Sequence, residues 1–242
     1  DIVHLAGGPL SSAYDLLLSK NVVDFVVHGE AEVSLPKLLK HIQEGTGLDR
    51  QGGVSYLSNG QVLRKPPEEQ IKDLDTLKFP QYELVDMNRY IKSVSLLSSV
   101  YKYSIASNKA LSKRFEHLLS NGRDRYIEIV TSRGCTHACL FCYRHVRGIR
   151  RNSVGYVVEH IKFLMDKYKV GGVQISDELF NNDEKWVYEF CSAVESAFKG
   201  DFFYIIVGAR ANSVDLPMLQ RLWETGCVSI NYGQESGSGR IL

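Results

Sequence analysis

The sequence predicts an α/β protein. Strand-like and helix-like segments alternate four times from Arg125 onward, and a shorter strand–helix–strand–helix pattern occupies residues 1–45. Residues able to cap helices stand in front of several of the helical stretches. Alternation of this kind is the signature of parallel βα units, in which functional groups collect at the carboxyl ends of the strands.

In chain order, Ile2–Leu5 and Asp24–Val27 (DFVV) read as strands. Ser12–Ser19 and Leu35–Ile42 read as helices, the second with Ser34 as its N-cap. Gly7-Gly8-Pro9 is a tight loop that lets backbone approach a ligand or serves as a plain turn. Gly53–Leu57 and Gln61–Arg64 flank Ser58-Asn59-Gly60, a hairpin signal, and Pro66-Pro67 then breaks the chain. Residues 85–122 are polar, with some helical period over Leu111–Leu119, and are expected to join two modules and help cover the cleft.

The second half begins with the strand Arg125–Thr131 (RYIEIVT). A helix follows, with Val154, Val157, Val158, Ile161, Leu164, Met165 and Tyr168 on one face, Ser153 as N-cap and Gly171-Gly172 as its end. Val173–Ser176 is the next strand. A helix then runs from about Asp183 to Phe198, capped by Asn182 or Asp183. Phe202–Val207 is the third strand. Asp215 caps a short helix bearing Leu216, Leu219, Leu222 and Trp223, which ends at Gly226, and Val228–Tyr232 is the fourth strand. The groups expected at the carboxyl ends are Cys135–Cys142, Asp177-Glu178, Arg210 and Gln234-Glu235-Ser236. Their bland alternatives are solvated loop carboxylates for Asp177 and Glu178, a salt-bridge partner for Arg210 and a turn residue for Glu235.

The chain has 242 residues, with 29 Lys+Arg against 28 Asp+Glu, a net charge of +1. That balance gives no support to a nucleic-acid coat or a polybasic membrane binder. No run approaches the roughly 18 apolar residues of a membrane span, and no secretory signal is visible. A hydrophobic content of 44% with 24% charged residues argues against general disorder. The chain begins at Asp1 beside an apolar run and stops just after a strand-like one, so we read it as an interior piece of something longer.

Five cysteines are an odd count for a disulfide framework, and a reducing compartment, the cytoplasm, is expected. Cys191 shares a helical face with Val187, Phe190, Val194 and Phe198, and Cys227 opens a strand; both read as small buried hydrophobes. The other three form Cys135-Thr-His-Ala-Cys139-Leu-Phe-Cys142, a C-x3-C-x2-C spacing on a segment without helical or strand period. Three thiolates on one short loop can converge on one metal centre. Zinc would want a fourth ligand, which His137 or His145 could supply. An iron–sulfur cluster held by three thiolates would keep one iron open for a substrate.

With Thr131-Ser132-Arg133-Gly134 before it and Phe141 inside it, this loop resembles the cluster loop of radical S-adenosylmethionine (SAM) enzymes. The resemblance implies that Cys135, Cys139 and Cys142 hold a [4Fe–4S] cluster whose open iron is chelated by SAM, with Phe141 near the adenine. Ser176-Asp177-Glu178-Leu179-Phe180 resembles the second-strand motif that meets the SAM amino group. Tyr232-Gly233-Gln234-Glu235-Ser236-Gly237 resembles the fourth-strand G-x-E-S motif near the ribose, and Arg210 the third-strand arginine near the SAM carboxylate. The implied SAM contacts are thus Phe141, Glu178, Arg210, Glu235 and Ser236.

Residues 1–45 resemble the last part of the Rossmann-like cobalamin-binding domain that precedes many radical SAM domains. Gly7-Gly8-Pro9 and Val23-Asp24-Phe25-Val26-Val27-His28-Gly29-Glu30-Ala31-Glu32 match its two loops, which implies that Gly7, Gly8, Gly29 and Glu30 line the cobalamin nucleotide tail. The family's D-x-H-x-x-G loop would lie upstream, and neither His4 nor His28 matches it, so no cobalt ligand is assigned. Ile71–Leu84 resembles the linker of this two-domain family.

The implied fold is the C-terminal part of a Rossmann-like cobalamin-binding domain (1–65), a linker (66–122) and a partial radical SAM (β/α) barrel (123–242). The implied activity is reductive cleavage of SAM to a 5′-deoxyadenosyl radical, assisted by cobalamin toward methyl transfer or rearrangement and fed by an external flavodoxin- or ferredoxin-like electron donor. The substrate is not legible. A methylthiotransferase-like protein and a non-enzymatic zinc-binding module are the alternatives; no upstream cysteine set supports the first.

Overall fold

In the computed structural model, the residues from Asp73 onward, apart from Thr136–Gly148, form one of two compact units. The other comprises Asp1–Lys72 with Thr136–Gly148. The structure describes residues 2–45, 48, 51–66, 68–93, 108–143, 146 and 148–240. Residues 94–107 of the segment 85–122 expected to join the modules and cover the cleft, and the ligand candidate His145, lie outside the described residues.

The larger unit is built on strands β5 (Lys92–Ser93), β6 (Arg125–Ile129), β9 (Gly172–Ile175), β10 (Phe203–Ala209) and β11 (Cys227–Tyr232). They form one sheet in the order β11-β10-β9-β6-β5. The four longer strands are parallel and only β5 runs against its neighbour. This is an open half-barrel. Helices α4 (Val154–Tyr168), α5 (Glu184–Phe198) and α6 (Leu216–Glu224) provide the crossovers, as the alternating sequence predicts.

The pleat sends alternate residues to opposite faces. Ile127, Ile129, Val173, Ile175, Tyr204 and Ile206 meet Val157, Ile161 and Leu164 of α4 and Val187, Phe190 and Cys191 of α5 in the main core. On the other face, Tyr126, Phe203 and Ile205 meet Leu118 of α3 (Lys109–Ser120), with Leu111 partly buried beside them. Helix α3 therefore covers the face that the crossover helices leave bare. Its Arg114 guanidinium lies 3.8 Å from the centre of the Trp223 ring and donates to the Trp223 carbonyl at 2.7 Å.

The helix starts read from the sequence hold in this unit. Ser153, Asp183 and Asp215 accept from Tyr156, Trp186 and Met218 backbone N–H groups respectively. One end differs. Helix α4 stops at Lys169, which takes a left-handed conformation (φ 54°), rather than at Gly171-Gly172. Those glycines serve close approach: a Cβ on Gly171 would stand 2.1 Å from the Arg123 carbonyl oxygen, and one on Gly172 2.3 Å from that of Phe203.

The smaller unit holds β1 (Leu5–Ala6), β2 (Phe25–Val27), β3 (Val54–Ser58) and β4 (Gln61–Arg64) side by side in that order. β1 and β2 are parallel, and β3–β4 is the expected hairpin, with Asn59 and Gly60 both at positive φ. The first strand is shorter than its apolar run suggests. The first helix opens as a 3₁₀ turn over Gly8–Ala13 before the α-helical α1 (Tyr14–Ser19).

Helix α2 (Ala31–Glu44) starts earlier than predicted, with Glu30 at the N-cap. Ser34 is buried inside it, its hydroxyl donating to the Glu30 carbonyl at 3.3 Å. Pro36 lies within the helix, where its missing N–H removes one backbone hydrogen bond without ending it. Val27, Leu38 and Val54 make the small core.

Candidate functional site

In the larger unit, each candidate residue stands just past the carboxyl end of a parallel strand. Cys135 follows β6 by way of the short β7 (Ser132–Arg133). Glu178 follows β9, Arg210 follows β10, and Glu235 and Ser236 follow β11. Since these strands are neighbours, the four positions share one rim.

Hydrogen bonds tie this rim together. The Phe180 N–H donates to the Gly208 carbonyl at 2.7 Å. The Asn181 side chain and the Arg210 backbone bind reciprocally, with Nδ2 donating to the Arg210 carbonyl at 2.8 Å and the Arg210 N–H to Oδ1 at 3.0 Å. Gly233 N–H donates to the Ala209 carbonyl at 3.3 Å. Glu178 and Glu235 are exposed, while Arg210 is half-buried with Nε 3.4 Å from Asn212 Oδ1. Ser236 Oγ accepts from the Ser238 N–H.

Asp177 is not a solvated carboxylate, as one sequence reading had it: it is 3% exposed. Its Oδ1 accepts from the Thr131 N–H at 2.6 Å and the Ser132 N–H at 3.1 Å. Its Oδ2 accepts from the Thr131 and Ser132 hydroxyls at 2.6 and 2.7 Å. Arg151 stands behind it, with Nη1 3.6 Å from Oδ2. Burial lowers the Arg151 guanidinium from its ordinary value, opposed by the Asp177 charge. Sequence reasoning missed Arg151 and Asn181, because no period or spacing says that a loop Arg or Asn turns inward.

The cysteine loop is described at all three thiols, which are free of disulfides. Gly134 (φ 89°) turns the chain into it, a backbone angle that favours glycine. Cys135 closes the segment counted with the larger unit, and Cys139 and Cys142 belong to the smaller one. Cys142 N–H donates to the Cys139 carbonyl at 3.2 Å, making a turn between these two. Leu140, Phe141 and Tyr143 expose apolar surface, with Phe141 71% exposed, and the Tyr143 hydroxyl is 3.4 Å from Ser11 Oγ. Among the described residues, no three His, Cys, Asp or Glu side chains are gathered tightly enough to hold a metal ion.

In the smaller unit, Gly7-Gly8 and Gly29-Glu30 follow the carboxyl ends of the adjacent parallel strands β1 and β2. Gly8 (φ 63°) and Gly29 (φ 67°) have open space where a Cβ would stand. Glu30 Oε2 accepts from the Ile71 N–H at 3.2 Å. His28 is buried, its Nε2 2.7 Å from Ser55 Oγ, and burial followed by the nearby Arg64 charge lowers its pKa.

No protein-family model matches the chain. An uncharacterized methyltransferase of Pyrococcus horikoshii, PH0819, is 26% identical over 223 residues, 91% of this chain and 42% of its own length. The anaerobic magnesium-protoporphyrin IX monomethyl ester cyclase of Synechocystis is 24% identical over 200 residues, 80% of this chain and 34% of its own. The present chain therefore spans well under half the length of these curated relatives.

Among solved structures, the radical SAM methyltransferase TsrM of Kitasatospora setae, with cobalamin and a [4Fe–4S] cluster bound, matches with a TM-score of 0.69 at 15% identity. The match covers 98% of this chain and 43% of that one. The cobalamin-dependent SAM radical enzyme OxsB, with aqua-cobalamin and SAM bound, matches with a TM-score of 0.64 at 20% identity, covering 98% of this chain and 32% of its own. The chain is thus similar in sequence to an uncharacterized methyltransferase and to a cyclase, and it shares the fold of part of two cobalamin-dependent radical SAM enzymes.

Proposed function

We propose that this chain is the cofactor-binding portion of a radical SAM enzyme that uses cobalamin for methyl transfer or rearrangement. The observation that carries the reading is the loop of three closely spaced cysteines outside any disulfide, Cys135, Cys139 and Cys142, entered from the end of the first long parallel strand of a half-barrel. Its fold match to TsrM, whose structure holds such a cluster, supports it.

The residues present fit these groups. Three thiols outside any disulfide on one loop, whose described residues between Thr136 and Gly148 carry no helix or strand, form a donor set able to close around an iron–sulfur cluster. Open space over Gly8 and Gly29 leaves backbone accessible to a large flat cofactor.

Cys135, Cys139 and Cys142 would bind the cluster as thiolates, giving up their protons as they do so. Phe141 would stack on the adenine with its exposed ring. Glu178 would accept hydrogen bonds from the SAM ammonium, and Arg210 would face its carboxylate. Glu235 and Ser236 would hold the ribose hydroxyls. Gly7, Gly8, Gly29 and Glu30 would line the cobalamin tail. When bound, these cofactors supply the electron transfer, C–S cleavage and methyl chemistry, while the protein positions them and excludes water. An external flavodoxin- or ferredoxin-like protein would deliver the electron. We assign residues 1–65 to the end of a Rossmann-like cobalamin domain, 66–122 to a linker and 123–242 to the partial barrel.

Anaerobic reconstitution with iron and sulfide tests this. The chain should take up four irons per molecule, a stoichiometry set by the proposed cluster. It should show broad brown absorbance and, with dithionite and SAM, release 5′-deoxyadenosine. Alanine at Cys135, Cys139 or Cys142 should abolish both. One tightly retained zinc per chain, with no iron uptake, would instead make this a zinc-binding module.

A further inference from the structure

Two short strands close the base of the cysteine loop. β7 (Ser132–Arg133) runs into it and β8 (Arg150–Arg151) runs out, paired antiparallel with Ser132 opposite Arg151 and Arg133 opposite Arg150. The Asn152 N–H extends the ladder to the Thr131 carbonyl at 2.9 Å.

Both stems meet one buried carboxylate. Asp177 receives the two backbone N–H groups and two hydroxyls of Thr131 and Ser132 from the incoming stem. Arg151 of the outgoing stem places Nη1 3.6 Å from the same carboxylate. Its Nη2 donates to the Leu179 and Phe180 carbonyls at 2.8 and 2.7 Å and also contacts Asn182 Oδ1. Its guanidinium lies 5.0 Å from the centre of the Trp186 ring, whose Nε1 donates to the Asn152 carbonyl at 3.0 Å.

A carboxylate with four donors is far more than the chain needs to end β9. Hydrogen bonds to a buried charge are also among the stronger ones in proteins. The neighbouring Glu178 points to solvent, so two adjacent acids divide into an inward and an outward group.

We propose that Asp177 and Arg151 are positioning residues that clasp the two stems of the cysteine loop to the second long strand of the half-barrel, fixing where Cys135 leaves the sheet. The purpose of the clasp rests on the cluster-binding reading above. Its existence does not, because it can be measured in the metal-free chain.

The test compares wild type with Asp177→Asn, Asp177→Ala and the milder Thr131→Val, which removes a single hydroxyl donor. Amide hydrogen exchange is followed residue by residue in the metal-free chain, and iron per molecule is measured after anaerobic reconstitution. Asp177→Ala should speed exchange at Thr131 and Ser132 at least tenfold, leave α5 and β10 protected as in wild type, and lower bound iron at least threefold. Asp177→Asn keeps one acceptor for the two N–H groups and should fall between, as should Thr131→Val.

Unchanged exchange at Thr131 and Ser132 overturns the proposal. So does a loss of protection spread evenly over the unit in all three variants, which would make Asp177 a general stabiliser. Selective loosening with wild-type iron content overturns the positioning role. If wild type itself takes up no iron, the cluster reading falls, and the clasp is decided by the exchange data alone.

Discussion

Gly208 shows how closely the rim is built. A Cβ there would stand 2.0 Å from the Asp177 carbonyl oxygen, a distance no side chain tolerates. Its own carbonyl accepts from Phe180 N–H, so the backbone after β9 lies directly on β10. Gly208→Ala should cost about 1–3 kcal/mol or more in urea denaturation, because neither backbone segment can retreat without breaking these contacts. Wild-type stability would mean that the approach is looser than described.

His160 allows a pH prediction. It is stacked on Phe79 (centroids 4.4 Å apart) with Nε2 2.8 Å from the Tyr82 hydroxyl, and burial lowers its pKa to about 4. The unfolded chain therefore binds this proton first as pH falls. The contribution of the neutral ring is complete above about 6.5 and is lost as pH drops toward 4. Between pH 7 and pH 5 wild type should lose about 2 kcal/mol that His160→Gln does not lose, read from urea midpoints at each pH. At this scale the cysteine motif and the two buried cysteines were legible, since spacing and apolar neighbours are written in the chain. Asp177 was visible as a rim acid but not as a buried one, and Arg151 was invisible. Both depend on contacts between segments far apart in sequence.

Among elements, those whose signals are local read best. Asp or Ser directly before an apolar period marked α4, α5 and α6 to within a residue at their starts. Ser34 misled because Pro36 follows it, a pairing that imitates a helix start, whereas the helix had already begun beyond Glu30. Helix α3 read as a period without a boundary. Its cap is Asn108, whose Oδ1 accepts from both Ala110 and Leu111 N–H at 3.1 Å. Asn108→Ala should cost about 1 kcal/mol. Leu118→Ala, 3% exposed in wild type, should cost about 2–5 kcal/mol because it opens a cavity against Phe203 and Ile205. Thermal unfolding that ranks these two in the opposite order would contradict the covering role given to α3. That role was not legible at all: nothing in the period of a helix says which face of a distant sheet it will meet.

At the scale of the whole chain, no helix among the described residues is long and apolar enough to cross a membrane. Among the described residues the half-barrel is open, with β11 paired on one side only. An unpaired parallel edge favours association, so the 242-residue chain should gain mass with concentration in sedimentation. A strictly monomeric profile would show that the edge is otherwise protected. The parallel order of the strands was legible from alternation, whereas the joining of the hairpin to the first two strands was not, because register between separated segments leaves no local trace.

The two cysteines of the main core give this chain a built-in chemical contrast. Cys191 and Cys227 are buried, and burial raises both thiols, that of Cys227 to about 12, so neither presents a nucleophile at neutral pH. An alkylating reagent applied to the native chain should therefore add three labels, all on the loop, and five only after urea. Occupancy of the loop by any ligand can then be counted by mass spectrometry on unmutated protein, each label withheld marking a shielded sulfur.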